Sequence, residues 1–141
     1  MNAAIEQSNF AMRVIAEEHQ AWVIAENNKR KPNFDDLARL FINIVKPSVE
    51  GRPAYAYWAC YNTYPKRVPG KQVRIMNSDH ISPNKDKSYS LLMLSKRARP
   101  WELPHVVETE AKLNAIRVLL SSLIDSRRLL SKSIPDGEAS S

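Results

Sequence analysis

The sequence predicts a mainly α-helical fold of the α+β class, with two long packed helices, a short helix and a small basic β-hairpin region between them. Three observations lead to this prediction. The first thirty residues contain neither glycine nor proline. Both ends of the chain repeat apolar residues at the three- and four-residue spacing of amphipathic helices. The middle of the chain contains short segments in which apolar and polar residues alternate, as in half-buried strands.

The length and composition predict one globular domain over residues 1–134, followed by a polar tail at 135–141. A chain of 141 residues with 43% apolar and 26% charged residues is typical of a folded, soluble domain. No apolar run approaches the roughly 18 residues of a membrane span, and the N-terminus lacks the order of a secretory signal. Cys60 is the only cysteine, which excludes an internal disulfide. We therefore expect a cytoplasmic protein without membrane association.

Two helices are predicted in the first third of the chain. The first covers about thirty residues, and its apolar side chains fall in one stripe: Phe10, Ala11, Val14, Ile15, Ala21, Trp22 and Ala25. The second is a short helix at about 34–46, since Asn33 is a good N-cap and Asp35 and Asp36 complement the positive end of the helix dipole. Leu37, Leu40, Phe41 and Ile44 then repeat at helical spacing up to Pro47.

The middle of the chain is less regular. The tyrosine-rich segment 54–64 fits either a strand or a helix, and we favour helix or irregular structure. A turn is expected at 65–70. Gln72–Ile75 alternates polar and apolar residues, and Ser88–Leu94 is a second candidate strand, so a β-hairpin is predicted over about 72–94.

The C-terminal helix is predicted over about 104–132. Pro104 suits a first helical turn, and six apolar residues form a heptad seam: Val106, Leu113, Ile116, Leu120, Leu123 and Leu130. Packing against the first helix would use this seam within the chain, and this is the use we favour. A homodimer through the 106–130 seam is the alternative.

Positive charge is concentrated in the middle third. Residues 52–99 contain ten Lys or Arg against two Asp, a net charge of +8, whereas residues 1–51 and 100–141 each carry −1. All five tyrosines and Trp58 lie in the same segment. Such a segment indicates a surface that meets an anionic partner, either nucleic acid or an acidic protein surface.

Twelve residues form the predicted binding surface. Nine cations are candidates for phosphate or acidic-partner contacts: Lys66, Arg67, Lys71, Arg74, Lys85, Lys87, Lys96, Arg97 and Arg99. Three aromatic residues could stack on bases: Tyr57, Trp58 and Tyr61. The competing interpretation is that the aromatic residues belong to the core and that the cations are ordinary solvated surface.

No catalytic, metal-binding or cofactor motif is present in the sequence. His19, His80 and His105 are far apart, Cys60 stands alone, and there is no glycine-rich phosphate loop. We therefore predict a non-enzymatic protein without metal or cofactor, which binds nucleic acid and acts as a regulator. The alternative, from another class, is an inhibitor or adaptor of the type that mobile elements encode. Such a protein would dock its basic face on an acidic partner, for example a nucleic-acid-handling complex.

Overall fold

The structure, a computed structural model, describes residues 2–31 and 33–133. It confirms an α+β fold with two long helices. The elements, with one 3-10 turn at Phe34–Asp36, are α1 (Asn2–Arg30), β1 (Leu40–Val45), β2 (Tyr55–Val68), β3 (Lys71–His80), α2 (Leu91–Ser95) and α3 (Leu103–Ser133).

The three strands form one antiparallel sheet in the order β1-β2-β3. Strand β1 pairs only with Tyr55–Cys60, the first part of β2, whereas β3 pairs with β2 from Ala59 to Val68. The distal part of the β2–β3 hairpin therefore extends past β1 as a two-stranded arm. We call residues 61–78 the ribbon.

The long helices pack against each other in antiparallel orientation. Trp22, near the end of α1, stacks on His105, near the start of α3, with ring centroids 3.8 Å apart. The buried core joins both helices to the inner face of the sheet through Ile5, Met12, Leu40, Ile42, Trp58, Val106 and Leu113. Five of the six predicted seam residues of α3 thus pack within the chain, as favoured from the sequence. Val106, Leu113 and Leu120 are buried and Ile116 and Leu123 are partly buried, whereas Leu130 is 56% exposed. A homodimer through this seam stays a prediction.

Side chains of helix α1 also form hydrogen bonds with backbone groups at the free edge of the sheet. The Gln20 amide nitrogen Nε2 donates to the carbonyl of Ile42 at 2.6 Å, and the Ile42 N–H donates to Gln20 Oε1 at 3.2 Å. His19 Nε2 lies 2.9 Å from the carbonyl oxygen of Leu40. The side chains of α1 therefore occupy the hydrogen-bonding positions that a fourth strand would take, which protects an otherwise exposed edge.

The predicted helix at 34–46 is wrong. One 3-10 turn is followed by strand β1, in which Leu40 and Ile42 are buried and Phe41 and Asn43 lie on the opposite face. Leu40 and Ile44 are four residues apart, a spacing that fits both a helical turn and every second position of a strand. The strand conformation is stabilised by backbone pairing with β2 and by the hydrogen bond from the Ile42 N–H to Gln20.

Residues 55–64 belong to strand β2, so the preference for helix or irregular structure over 54–64 is also wrong. Strand β2 continues through Pro65 to Val68, and the predicted turn at 65–70 is reduced to Pro69 and Gly70. Gly70 has φ +86°, a left-handed conformation that glycine adopts without steric cost. A basic hairpin region is present between the long helices, but it joins β2 and β3, so the predicted hairpin over 72–94 is wrong.

Residues 88–94 do not form the predicted strand. Leu91–Ser95 is the short helix α2, and the Ser90 hydroxyl accepts a hydrogen bond from the Met93 N–H as its N-cap. Tyr89 is buried, and its hydroxyl donates to the carbonyl of Ile81 at 2.7 Å. This segment therefore consists of one buried tyrosine followed by a helical turn.

The remaining predictions on organisation have mixed outcomes. The C-terminal helix, predicted at 104–132, is confirmed as α3. Cys60 is a free, buried cysteine. Among the described residues, none of the helices contains an apolar stretch that could span a lipid bilayer. The polar tail at 135–141 lies outside the described residues, and the single domain over 1–134 stays a prediction.

Candidate nucleic-acid interface

The ribbon is the most basic part of the sheet. Its residues 61–78 include Lys66, Arg67, Lys71 and Arg74 and no Asp or Glu. The register places Pro65 opposite Arg74 and Arg67 opposite Gln72, so the four cations follow both strands toward the turn. Lys71 is exposed beside Gly70. For Lys66, Arg67 and Arg74 the structure describes the backbone alone. Four cations therefore lie within a few residues of one hairpin turn.

The outer face of the sheet, opposite the core, carries aromatic side chains. We define this outer face by Phe41, Tyr55, Tyr57, Tyr61 and His80. The Phe41 and Tyr61 rings make an edge contact with centroids 4.7 Å apart, and the Tyr57 and His80 rings lie 4.1 Å apart. Tyr55 is 55% exposed, and the Tyr57 and Tyr61 side chains are half-buried. An open sheet with aromatic rings is a surface on which bases can stack.

Trp58 lies on the inner face and is fully buried. Its indole nitrogen Nε1 donates to Glu110 Oε1 at 3.1 Å, and its ring meets His19 edge-on at 5.0 Å. Successive residues of a strand point to opposite faces, so Trp58 belongs to the core while Tyr57 belongs to the outer face. In this fold the Trp58 ring offers no surface to a base, which corrects its assignment as a stacking residue.

Lys96, Arg97 and Arg99 lie in the link between α2 and α3. Lys96 is exposed at the end of α2, and the Arg97 guanidinium is 3.7 Å from Asp79 Oδ2 in β3. Arg99 Nε donates to the carbonyl of Leu37 at 3.0 Å, so this side chain also ties the link to the segment before β1. The link therefore lies beside the end of the ribbon, where β3 continues to Asp79. Two of its cations, Arg97 and Arg99, also make contacts within the fold.

Lys85 and Lys87 lie apart from the ribbon, in the loop between β3 and α2. A short turn presents them: the Lys87 N–H donates to the Asn84 carbonyl at 2.8 Å, and the Ser88 N–H donates to Asp86 Oδ1 at 3.0 Å. Lys87 has φ +70°, which is unusual outside glycine. Its Nζ is 5.6 Å from the centroid of the Tyr55 ring. The twelve predicted residues thus occupy several places instead of one patch.

Beneath the sheet, a buried carboxylate organises several elements. Glu110 of α3 accepts hydrogen bonds from Trp58 Nε1 and from the Tyr89 N–H, each at 3.1 Å. Arg117 Nη1 lies 2.7 Å from Glu110 Oε2, and Arg117 Nη2 donates to the carbonyl of Ala56. Both side chains are more than 90% buried. The pair connects α3 to β2 and to the segment before α2, and so it holds the sheet against the helix.

A second buried carboxylate lies at the start of α3. Glu102 accepts hydrogen bonds from the backbone N–H of Arg39 at 2.8 Å and from that of Arg99 at 3.1 Å. Burial raises the pKa of Glu102 to about 7, against these hydrogen bonds and one from Leu40, which lower it. Glu102 satisfies backbone donors of two segments, and it touches neither the ribbon nor the outer face.

Two histidines that are distant in sequence meet in the seam between α1 and α3. The rings of His19 and His105 stack with centroids 5.2 Å apart. A carbonyl can only accept, so the contact with Leu40 makes Nε2 the protonated nitrogen of His19. Burial lowers the pKa of His19 to about 4, and burial also lowers the pKa of His105. Both rings are therefore neutral parts of the packing near neutral pH.

The described part of the chain contains no group of three or more His, Cys, Asp or Glu that could hold a metal ion. Sequence reasoning missed Phe41 and His80 of the outer face, since Phe41 was assigned to a helix and His80 stood alone in a loop. The short apolar run of 40–45, which is rich in β-branched residues and ends before Pro47, was the signal that could have placed Phe41 in a strand.

The fold and surface define a small basic α+β protein in which a three-stranded sheet with an open aromatic face and a cationic ribbon rests on two long helices. A family model described as MobI protein matches residues 9–131, which is most of the chain. The chain therefore belongs to the MobI family and is a small mobilisation-related protein. No curated protein and no solved structure matches it.

Proposed function

We propose that this protein binds nucleic acid through the ribbon and the outer face, and that it acts as a non-enzymatic regulator. The observation that carries the proposal is that four cations and no carboxylate lie on a hairpin that projects from the body of the fold. Most non-specific affinity for nucleic acid comes from cations that neutralise phosphates and release condensed counterions. A two-stranded ribbon also fits the dimensions of the DNA major groove.

The outer face supports the same proposal. Tyr57 and Tyr61 are two residues apart along one strand, and their rings are partly open to solvent. Aromatic rings exposed beside a cationic segment can stack on bases, at about 1–3 kcal/mol for each base. The family relation to mobilisation is consistent with a protein that handles nucleic acid.

Salt-dependent binding to duplex DNA and to single strands tests the proposal. The ribbon variant replaces Lys66, Arg67, Lys71 and Arg74 with Gln. If all four contact phosphates, the slope of log affinity against log salt becomes shallower by about 3, because each contact contributes roughly 0.7–0.9.

A matched control removes four cations elsewhere: Arg13, Lys29, Lys31 and Lys112 are exposed and lie outside the sheet. Replacing these four with Gln is expected to leave most of the slope intact. If the wild type binds neither duplex nor single strands at low salt, the proposal is contradicted. Docking of the basic face on an acidic protein would then take its place.

A further inference from the structure

A second cationic region lies at the opposite end of the sheet from the ribbon tip. An open groove of about 860 Å³ runs between the C-terminal half of α3, the start of β2 and the loop before α2. Its floor is apolar and includes Met12, Leu120 and Ile124. Five exposed cations line it: Arg52, Lys85, Lys87, Arg127 and Arg128. We call this region the groove.

The charge of the groove is largely uncompensated. No carboxylate of the described residues lies within 4.0 Å of any of its five exposed cations. Asp86 is the one acidic residue of the lining, and hydrogen bonds from Ser88 lower its pKa, so it stays charged. Arg117 also lines the groove, but Glu110 neutralises it. The lining therefore has a net charge of about +4, which selects for a polyanion.

The groove is continuous with the outer face. Tyr55 belongs to both: it alternates with Tyr57 along β2, and it lines the groove with Lys87 near its ring. One path therefore runs from the turn of the ribbon, over the aromatic outer face, into the groove. Strand β2 alone spans roughly 45 Å of this path at about 3.3 Å for each residue.

We infer that the groove is a second phosphate-binding site and that it extends the proposed interface into a continuous track for single-stranded nucleic acid. This inference rests on the proposed function. Bases must be unstacked to reach the Tyr57 and Tyr61 rings, and single strands alone offer such bases without melting. An amphipathic acidic peptide would also meet a cationic groove with an apolar floor. Tyr55 belongs to both the outer face and the groove, and this favours single-stranded nucleic acid over a peptide. A nucleic acid that lies on the outer face can continue into the groove without leaving the protein surface.

The test compares the wild type with Arg127→Gln/Arg128→Gln on oligothymidylates of about 8 and about 24 nucleotides. A small stacking domain covers roughly 4–16 nucleotides, so the short strand lies within this range and the long strand exceeds it. Affinity is measured over a range of salt concentrations. We expect the variant to bind the long strand more weakly, with a slope shallower by about 1.4 for two lost contacts to a single strand. We also expect the ratio of the affinity for the long strand to the affinity for the short strand to be smaller for the variant than for the wild type. The matched control, Lys31→Gln/Lys112→Gln, removes two exposed cations outside the groove and should resemble the wild type.

Three outcomes would overturn the inference. The groove variant could bind the long strand with wild-type affinity and slope. The wild type could bind duplex DNA and no single strand, which would leave the proposed function intact. Finally, it could bind neither form while a polyglutamate peptide binds in a manner that depends on Arg127 and Arg128. This last result would contradict the proposed function as well and assign the groove to an acidic protein. Circular dichroism of each variant confirms that the helices are retained.

Discussion

At the scale of single residues, two buried groups give the stability of this protein a pH dependence of opposite sign. The folded-state pKa of Glu102, about 7, lies above its ordinary value, so ionisation costs stability as the pH rises from about 4.5 to about 7. The folded-state pKa of His19, about 4, lies below its ordinary value, so the stability that it contributes is lost as the pH falls from about 6.5 to about 4. Each difference corresponds to roughly 3 kcal/mol, and the two effects nearly cancel between about pH 4.5 and about pH 6.5.

Substitution of Glu102 separates these effects. Glu102→Gln has no charge to bury, so its free energy of unfolding relative to that of the wild type should rise by roughly 3 kcal/mol between about pH 4.5 and about pH 8. Urea unfolding at several pH values measures this difference. Glu108→Gln, at an exposed position of α3, is the control and should show little change. A constant difference for Glu102→Gln across this range would show that the carboxylate has no raised pKa.

Individual binding residues were partly predictable. The charge count indicated the ribbon cations, and the tyrosine-rich segment indicated Tyr57 and Tyr61. Trp58 could not be separated from them, because only the face of the strand distinguishes a core tryptophan from a surface tyrosine. Arg127 and Arg128 were missed as well, since they lie far along the chain from Lys85 and Lys87 and meet them only around the groove.

At the scale of elements, the Gln20 side chain of α1 forms two of the hydrogen bonds at the edge of the sheet. Gln20 both donates to and accepts from the backbone of Ile42. Gln20→Ala should lower the free energy of unfolding by about 2 kcal/mol, because it leaves a half-buried N–H and carbonyl without their partner. Thermal or urea unfolding measures the loss. Glu17→Ala, at an exposed position on the same helix, should change stability by less than about 0.5 kcal/mol. Equal stability of the two variants would mean that solvent replaces Gln20 at no cost.

The long helices were predictable as elements because their apolar spacing extends over many turns. Strand β1 was not, because it has six residues and its apolar residues fit the spacing of a helix as well as that of a strand. The pairing of β1 with β2 is non-local, since Leu40 pairs with Cys60. No local pattern contains that information.

At the scale of the whole molecule, α1, the sheet and α3 share one buried core. Leu113 is fully buried in α3 and belongs to this core. We expect Leu113→Ala to lower the free energy of unfolding by about 2–5 kcal/mol, since it leaves a cavity among packed side chains. The loss should appear equally in helix content by circular dichroism and in tryptophan fluorescence, which reports on Trp22, Trp58 and Trp101. Transitions that separate would show that the helices and the sheet unfold as independent units, against the prediction of a single domain over 1–134.

The sequence by itself determined the fold class, the two long helices and the concentration of positive charge in the middle third, because each is a property of composition or of a long periodic segment. Only the tertiary structure decided that 40–45 and 55–68 are strands, that Trp58 points inward, and that the cations divide between the ribbon, the link and the groove. Those outcomes depend on which backbone groups pair across the chain and on which face of a strand meets the helices. A cation has no intrinsic preference among exposed positions, so its neighbours are fixed by the packing of apolar residues elsewhere.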